Sequence, residues 1–151
     1  MKINGKTKVS IFYKDEDESR KYNIENCTLN ETIRRMSNQI WKESQMCSDY
    51  KNKKTQYIVI NGKKYNLKTD INIECEVSML NVPIVCKEYF QKKYDCEAQI
   101  EIGEFYNYIV DTIENYALAL DTDMNNIKIK IKKLEILEVY KKEDIKQWKQ
   151  I

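Results

Sequence analysis

With 151 residues, 42% of them hydrophobic and 33% charged, the chain is long enough to bury a core, and 26 Lys and Arg against 24 Asp and Glu leave a net charge of only +2. That balance excludes a histone-like coat and an acidic mimic of nucleic acid, because neither sign dominates the field around the molecule. Histidine is absent altogether, which removes Ser-His-Asp, Cys-His and HExxH chemistry within this chain.

Three Gly and one Pro leave few places for linkers, and Lys, Ile, Asn and Tyr are over-used. Such a bias suggests an AT-rich genome, and taken with the small size and the missing catalytic residues it makes a phage or other mobile element the expected source. No run of about 18 apolar residues is present, and Met1-Lys2-Ile3-Asn4-Gly5 lacks the apolar centre of a signal peptide. A cytoplasmic protein without a membrane partner is expected. Cys27, Cys47, Cys75, Cys86 and Cys96 form an odd set without a CxxC pair and read as reduced thiols.

Val9, Ile11 and Tyr13 alternate with Lys8, Ser10 and Phe12, and the acidic run Asp15-Glu16-Asp17-Glu18 separates them from a second alternation through Tyr22 and Ile24. This predicts a hairpin with a charged tip. Thr28 and Glu31 stand at capping-box spacing ahead of Leu29, Ile33, Met36 and Ile40, predicting a helix that ends near residue 46. Beyond the polar loop at 48–55, Tyr57-Ile58-Val59-Ile60 and Lys63-Lys64-Tyr65-Asn66-Leu67 flank Asn61-Gly62. Asn-Gly supplies the two positive φ angles of a type I′ turn, so Ile60 should face Lys63 and Ile58 should face Tyr65.

Ile71, Ile73, Cys75 and Val77 alternate with Asn72, Glu74, Glu76 and Ser78, the pattern of a half-buried strand on which Cys75 acts as a small hydrophobe. From Met79 to Tyr94 the pattern fits either a short helix opened by Pro83 and carrying Cys86, Phe90 and Tyr94, the preferred reading, or an extended stretch. Ala98, Ile100 and Ile102 alternate as a strand, and Gly103 leads into a helix whose Phe105, Ile109, Thr112, Ile113, Tyr116 and Leu120 share a face. After a polar turn at 121–126, Ile127, Ile129 and Ile131 alternate with Lys128, Lys130 and Lys132, and the phase breaks at Lys133, which predicts a bulge or bend near Lys132-Lys133. Glu143 and Asp144 precede Ile145 and Trp148 in a short amphipathic helix over 141–151.

Hairpins and long helices without strict βαβ alternation predict the α+β class, with a mainly antiparallel sheet, two long helices and a short C-terminal helix. The first half, hairpin then helix then strands, resembles a β-grasp (ubiquitin-like) arrangement in topology alone. One domain over residues 1–151 is expected, with a division into 1–78 and 79–151 as the alternative.

No catalytic set emerges. Glu74 with Glu76, and Glu97 with Glu101, are rows of acids on wet strand faces. Asp121-Thr122-Asp123-Met124-Asn125 imitates the start of an EF-hand loop, but Asn126 and Lys132 stand where that loop requires Gly and Glu. Gly5, Gly62 and Gly103 are isolated, so no glycine-rich phosphate cradle exists. Neither cofactor nor metal is expected, and the chain is read as noncatalytic, with a carboxylate- or thiol-based enzyme as the third hypothesis behind two binding readings.

Two binding readings remain. Trp41, Tyr57, Tyr65, Tyr106 and Tyr108 stand at the borders of apolar faces, where aromatics with a polar tip anchor protein interfaces. The leading expectation is accordingly a protein-binding, inhibitory accessory protein from a mobile element, directed at a host system. The alternative is an RNA or single-stranded DNA binder, resting on the row Lys128, Lys130, Lys132 and Lys133 and on Lys63 and Lys64 interleaved with tyrosines. Coincidence of an exposed aromatic patch with free lysines favours the second reading, and their separation favours the first.

Overall fold

The computed structural model describes residues 1–15, 20–46, 50–80 and 93–137. In chain order these form β1 (Lys2–Ile3), β2 (Lys8–Asp15), β3 (Lys21–Thr28), α1 (Leu29–Met46), β4 (Lys53–Ile60), β5 (Lys63–Asn66), β6 (Asp70–Met79), β7 (Tyr94–Glu101), α2 (Phe105–Ala119) and β8 (Ile127–Ile136). Short 3-10 turns precede α2 and β8. The helix expected from Pro83 lies outside the described residues except for Tyr94, which begins β7, and the helix expected over 141–151 lies wholly outside them.

Local chemistry explains the boundaries. The Thr28 hydroxyl accepts from the Glu31 N–H at 3.1 Å and caps α1, while the Glu31 carboxylate turns to Arg34 and Arg35 instead of closing the box. Asn61 and Gly62 have φ of 52° and 79°, and Ile60 pairs with Lys63 and Ile58 with Tyr65, as the Asn-Gly turn requires.

The class is α+β, but the strands divide between two four-stranded sheets of order β3-β2-β4-β5 and β1-β8-β6-β7. Every pairing is antiparallel. The β-grasp resemblance of the first half is not confirmed, since its central strands β2 and β4 run antiparallel, whereas a β-grasp sheet is centred on a parallel pair.

The two sheets repeat one plan. In each, a hairpin (β2-β3 or β6-β7) leads to a helix, and the following strand (β4 or β8) returns beside the first strand of the hairpin. The bulges repeat as well. Gln56 is the extra residue of β4 opposite Phe12 and Tyr13, and Lys132 is the extra residue of β8 opposite Glu74 and Cys75. Phe12 and Glu74 each occupy the fifth position of their strand. The fourth strand breaks the symmetry: β5 covers four residues of β4, whereas β1 covers only Glu135 and Leu134 of β8.

Helices α1 and α2 lie between the buried faces of the sheets. The first packs on β2, β3 and β8, and the second on β4 and β8. Buried residues of both sheets and both helices form one cluster. A helix covered from two sides needs a wider apolar stripe than one resting on a single sheet. This is why α2 buries Tyr106, Val110 and Ala117 beyond the face that its periodicity predicts.

One junction ties the halves together. Asn30, in the first turn of α1, accepts the Ile131 N–H through Oδ1 at 2.7 Å and donates its own N–H to the Gly5 carbonyl at 3.0 Å. A Cβ on Gly5 would lie 2.0 Å from the Asn30 amide nitrogen and 2.7 Å from the Ile131 oxygen. Gly5→Ala should therefore displace the amide and lower the unfolding free energy by about 1–3 kcal/mol, the usual cost of an orphaned buried donor. Asn30→Ala should cost a similar amount, and in urea denaturation the double variant should fall well short of the sum of the two, because both changes break the same junction.

Candidate functional site

The densest set of titratable groups lies between α1 and the first sheet. Lys53 is 3% exposed; its ammonium donates to the Glu43 carboxylate and sits 4.5 Å from the Tyr22 ring and 5.6 Å from the Tyr106 ring. Tyr13 stacks between Tyr22 and Tyr106, with centroids 5.2 and 5.4 Å away. Its hydroxyl donates to Gln39, and the Tyr106 hydroxyl donates to the Tyr50 carbonyl at 3.0 Å. Burial pushes the Tyr13 and Tyr106 hydroxyls well above the tyrosine range. Burial also draws Lys53 down to about 8, against the attraction of Asp15. Each group here is engaged within the fold, so the cluster reads as internal support.

The thiols follow the same logic. Cys75 and Cys96 are cross-strand partners on β6 and β7, in contact with the Tyr108 hydroxyl at 3.3 Å and the Tyr116 hydroxyl at 3.0 Å respectively. Burial pushes the Cys75 thiol up, which works against a thiolate nucleophile. Cys86 lies outside the described residues. Among those described, no group of three potential metal ligands is found, and no helix is long and apolar enough to cross a membrane.

On the outer face of the second sheet, cross-strand register sets the lysine row against acids. Lys130 pairs with Glu76 and Lys133 with Glu74, and those glutamates pair in turn with Asp95 and Glu97. The Lys132 ammonium lies 3.1 Å from Asp95, whose hydrogen bond and charge raise the lysine pKa. Lys93 and Glu76 are 3.5 Å apart, and Lys2 and Glu135 are 3.9 Å apart. On this face Lys130 and Lys133 each meet an acid of β6, those acids stand opposite further acids of β7, and no aromatic ring stands among these pairs.

The outer face of the first sheet is different. Phe12 and Tyr57 are cross-strand partners whose rings stack at 4.6 Å, and the Lys64 ammonium sits 3.9 Å from the Tyr57 ring. Lys14 of β2 stands opposite Lys21 on one side and Lys54 on the other. Like charges directly opposite each other destabilise a sheet. Among the described residues, Lys8, Lys14, Lys21 and Lys64 have no carboxylate within 4.0 Å. Sequence reading passed over Phe12, Lys14 and Lys21, although the signal was legible: alternation placed the Phe12 ring opposite Val9, Ile11 and Tyr13, on the wet side.

The remaining candidates scatter. Trp41 donates its indole N–H to Asp123 at 2.8 Å, holding α1 to the turn before β8. Tyr65 packs against the core, with Lys63 5.1 Å from its ring. Tyr108 is half-buried toward the second sheet, and its hydroxyl is pushed up mainly by desolvation. Tyr106 corrects the sequence reading: placed on an outer flank, it is 0% exposed because the first sheet covers that side of α2. The structure thus gathers Tyr57 and Lys64 at one place, and Lys128, Lys130, Lys132 and Lys133 at another among acids.

No protein family, curated protein or solved structure matches the chain.

Because Lys53 titrates below the ordinary lysine value of 10.5, protonation favours the unfolded chain. Its contribution to stability is therefore least below about 8 and recovers as the pH rises toward 10.5. Urea midpoints measured across that window should rise more in the native sequence than in Lys53→Met, which lacks the titrating group.

Proposed function

We propose that the chain is a noncatalytic binding protein whose first sheet receives single-stranded nucleic acid. The observation that carries this reading is the coincidence, on one outer face, of the Phe12 and Tyr57 pair with lysines lacking a carboxylate partner. Rings give a sequence-tolerant surface for bases, and lysines on neighbouring strands track the phosphates. The Lys14 and Lys21 pair supports the same reading: like charges directly opposite each other on β2 and β3 are unfavourable for the sheet, and a polyanion would screen them. Lys132 is held by Asp95 and no ring stands beside the lysine row, which moves the nucleic-acid reading from the last strand to the first sheet.

A protein partner is the second reading, favoured by a separate place on the molecule, the edge of β8 that among the described residues only β1 covers in part. An inhibitory or accessory role toward another protein would act there.

Fluorescence anisotropy with labelled RNA and DNA single strands of about twelve nucleotides tests the first reading, since one such sheet spans several bases. Engagement of four lysines predicts a slope of about −3 for log K against log salt. Phe12→Ala and Tyr57→Ala should each weaken binding about tenfold. Lys14→Glu with Lys21→Glu and Lys64→Glu should abolish it, while Lys128→Glu with Lys130→Glu leaves it unchanged. Binding that ignores salt, or that survives the first-sheet changes, would sink the reading.

A further inference from the structure

The geometry points to the open edge of β8 as a docking site for an extended acidic segment of a partner protein, which adds to the second sheet as the fourth strand that β1 leaves incomplete. Two hydrogen bonds fix which main-chain groups face outward. Leu80 donates its N–H to the Asn126 carbonyl at 2.6 Å on the β6 side, and Ile131 donates away from β6 to Asn30. By the alternation of an antiparallel ladder, the N–H and C=O of Ile129 and the C=O of Ile127 point away from β6. The Ile127 N–H is already taken by the Met124 carbonyl. Among the described residues β1 reaches only Glu135 and Leu134, so Ile129 has no strand beside it.

These groups open onto a groove of about 360 Å³ between β8 and the flank of α1 that carries Arg34, Ser37 and Asn38. Main-chain donors and acceptors beside a partly apolar groove require partners, and an extended peptide supplies both kinds at the strand repeat. The molecule contains its own precedent. In the matching position of the first sheet, β5 lies antiparallel along β4 and pairs with Ile60, Val59, Ile58 and Tyr57.

Charge selects the occupant. Side chains flanking the residue opposite Ile129 fall on the outer face beside Lys128 and Lys130, whereas the central one falls on the inner face with Ile129. The complementary segment is therefore acidic, apolar, acidic. A second copy of β8 is disfavoured, because two such edges would set lysine rows against each other.

The test is a titration of the ¹⁵N-labelled full chain with an amidated pentapeptide of alternating glutamate and valine, followed by amide exchange. Exchange of the Ile129 amide should slow by about tenfold or more on binding. Four further results are expected: no slowing with the lysine and valine counterpart, none when the central peptide nitrogen is methylated, none in Lys128→Glu with Lys130→Glu, and none in Asn38→Trp, which fills the groove. The methylated peptide leaves the protein untouched, so its failure to bind cannot reflect misfolding. Unchanged Ile129 exchange, equal binding of the lysine peptide, shifts confined to the first sheet, or self-association of the free chain through β8 would each overturn the assignment.

Discussion

Asn30 stands where three separate parts of the chain must meet, and the packing of the halves depends on its amide. The bulge at Lys132 reverses the parity of β8, so that the Ile131 N–H points away from β6 beyond the last residue paired with β1. Left alone, that donor would be orphaned beside the core. Asn30 accepts it and so acts as a fragment of strand main chain, while its own N–H holds the Gly5 carbonyl. A bond made from the first helix to the second sheet fixes the line along which α1 runs beside β8. That line places Trp41 at Asp123 and leaves the groove beside Ile129.

Features set by neighbours in the chain were legible in the sequence. Asn61-Gly62 fixed the register of its hairpin, Thr28 capped α1, and the broken alternation at Lys133 located the bulge. Features set by distant partners were not. Nothing local distinguishes strands of one sheet from strands of two, and the division follows from which hairpin each returning strand joins. Tyr106 was misplaced for the same reason, since helical periodicity marks one buried face and α2 has two. The lysine row was read correctly as a single strand face, but the acids that stand beside part of it belong to β6 and β7, which alternation alone cannot align.

Sheets built on one plan have acquired opposite outer faces. In the second sheet Lys130 and Lys133 meet Glu76 and Glu74, pairs of opposite sign that stabilise modestly, while those glutamates also stand opposite Asp95 and Glu97. In the first sheet the same positions hold Lys14 against Lys21 and Lys54, and Phe12 against Tyr57. Ring stacking and the Lys64 contact recover part of the cost of exposing aromatic surface. They do nothing for the repulsion between Lys14 and Lys21, which the anionic ligand proposed above would screen.

The unequal fourth strands are the more telling departure from the repeat. An uncovered strand edge invites association with other chains, and proteins commonly blunt such edges with lysines or cover them with a helix. Here both devices are present, with Lys128 and Lys130 on the edge and α1 alongside it. Among the described residues neither one gives the Ile129 main chain a partner, because a helix running beside a strand has no free main-chain donors or acceptors along its length. The lysines that discourage a second copy are the groups that would attract an acidic strand. Protection of the edge and recognition at the edge therefore rest on the same two charges, and a change of sign at Lys128 and Lys130 would alter both together.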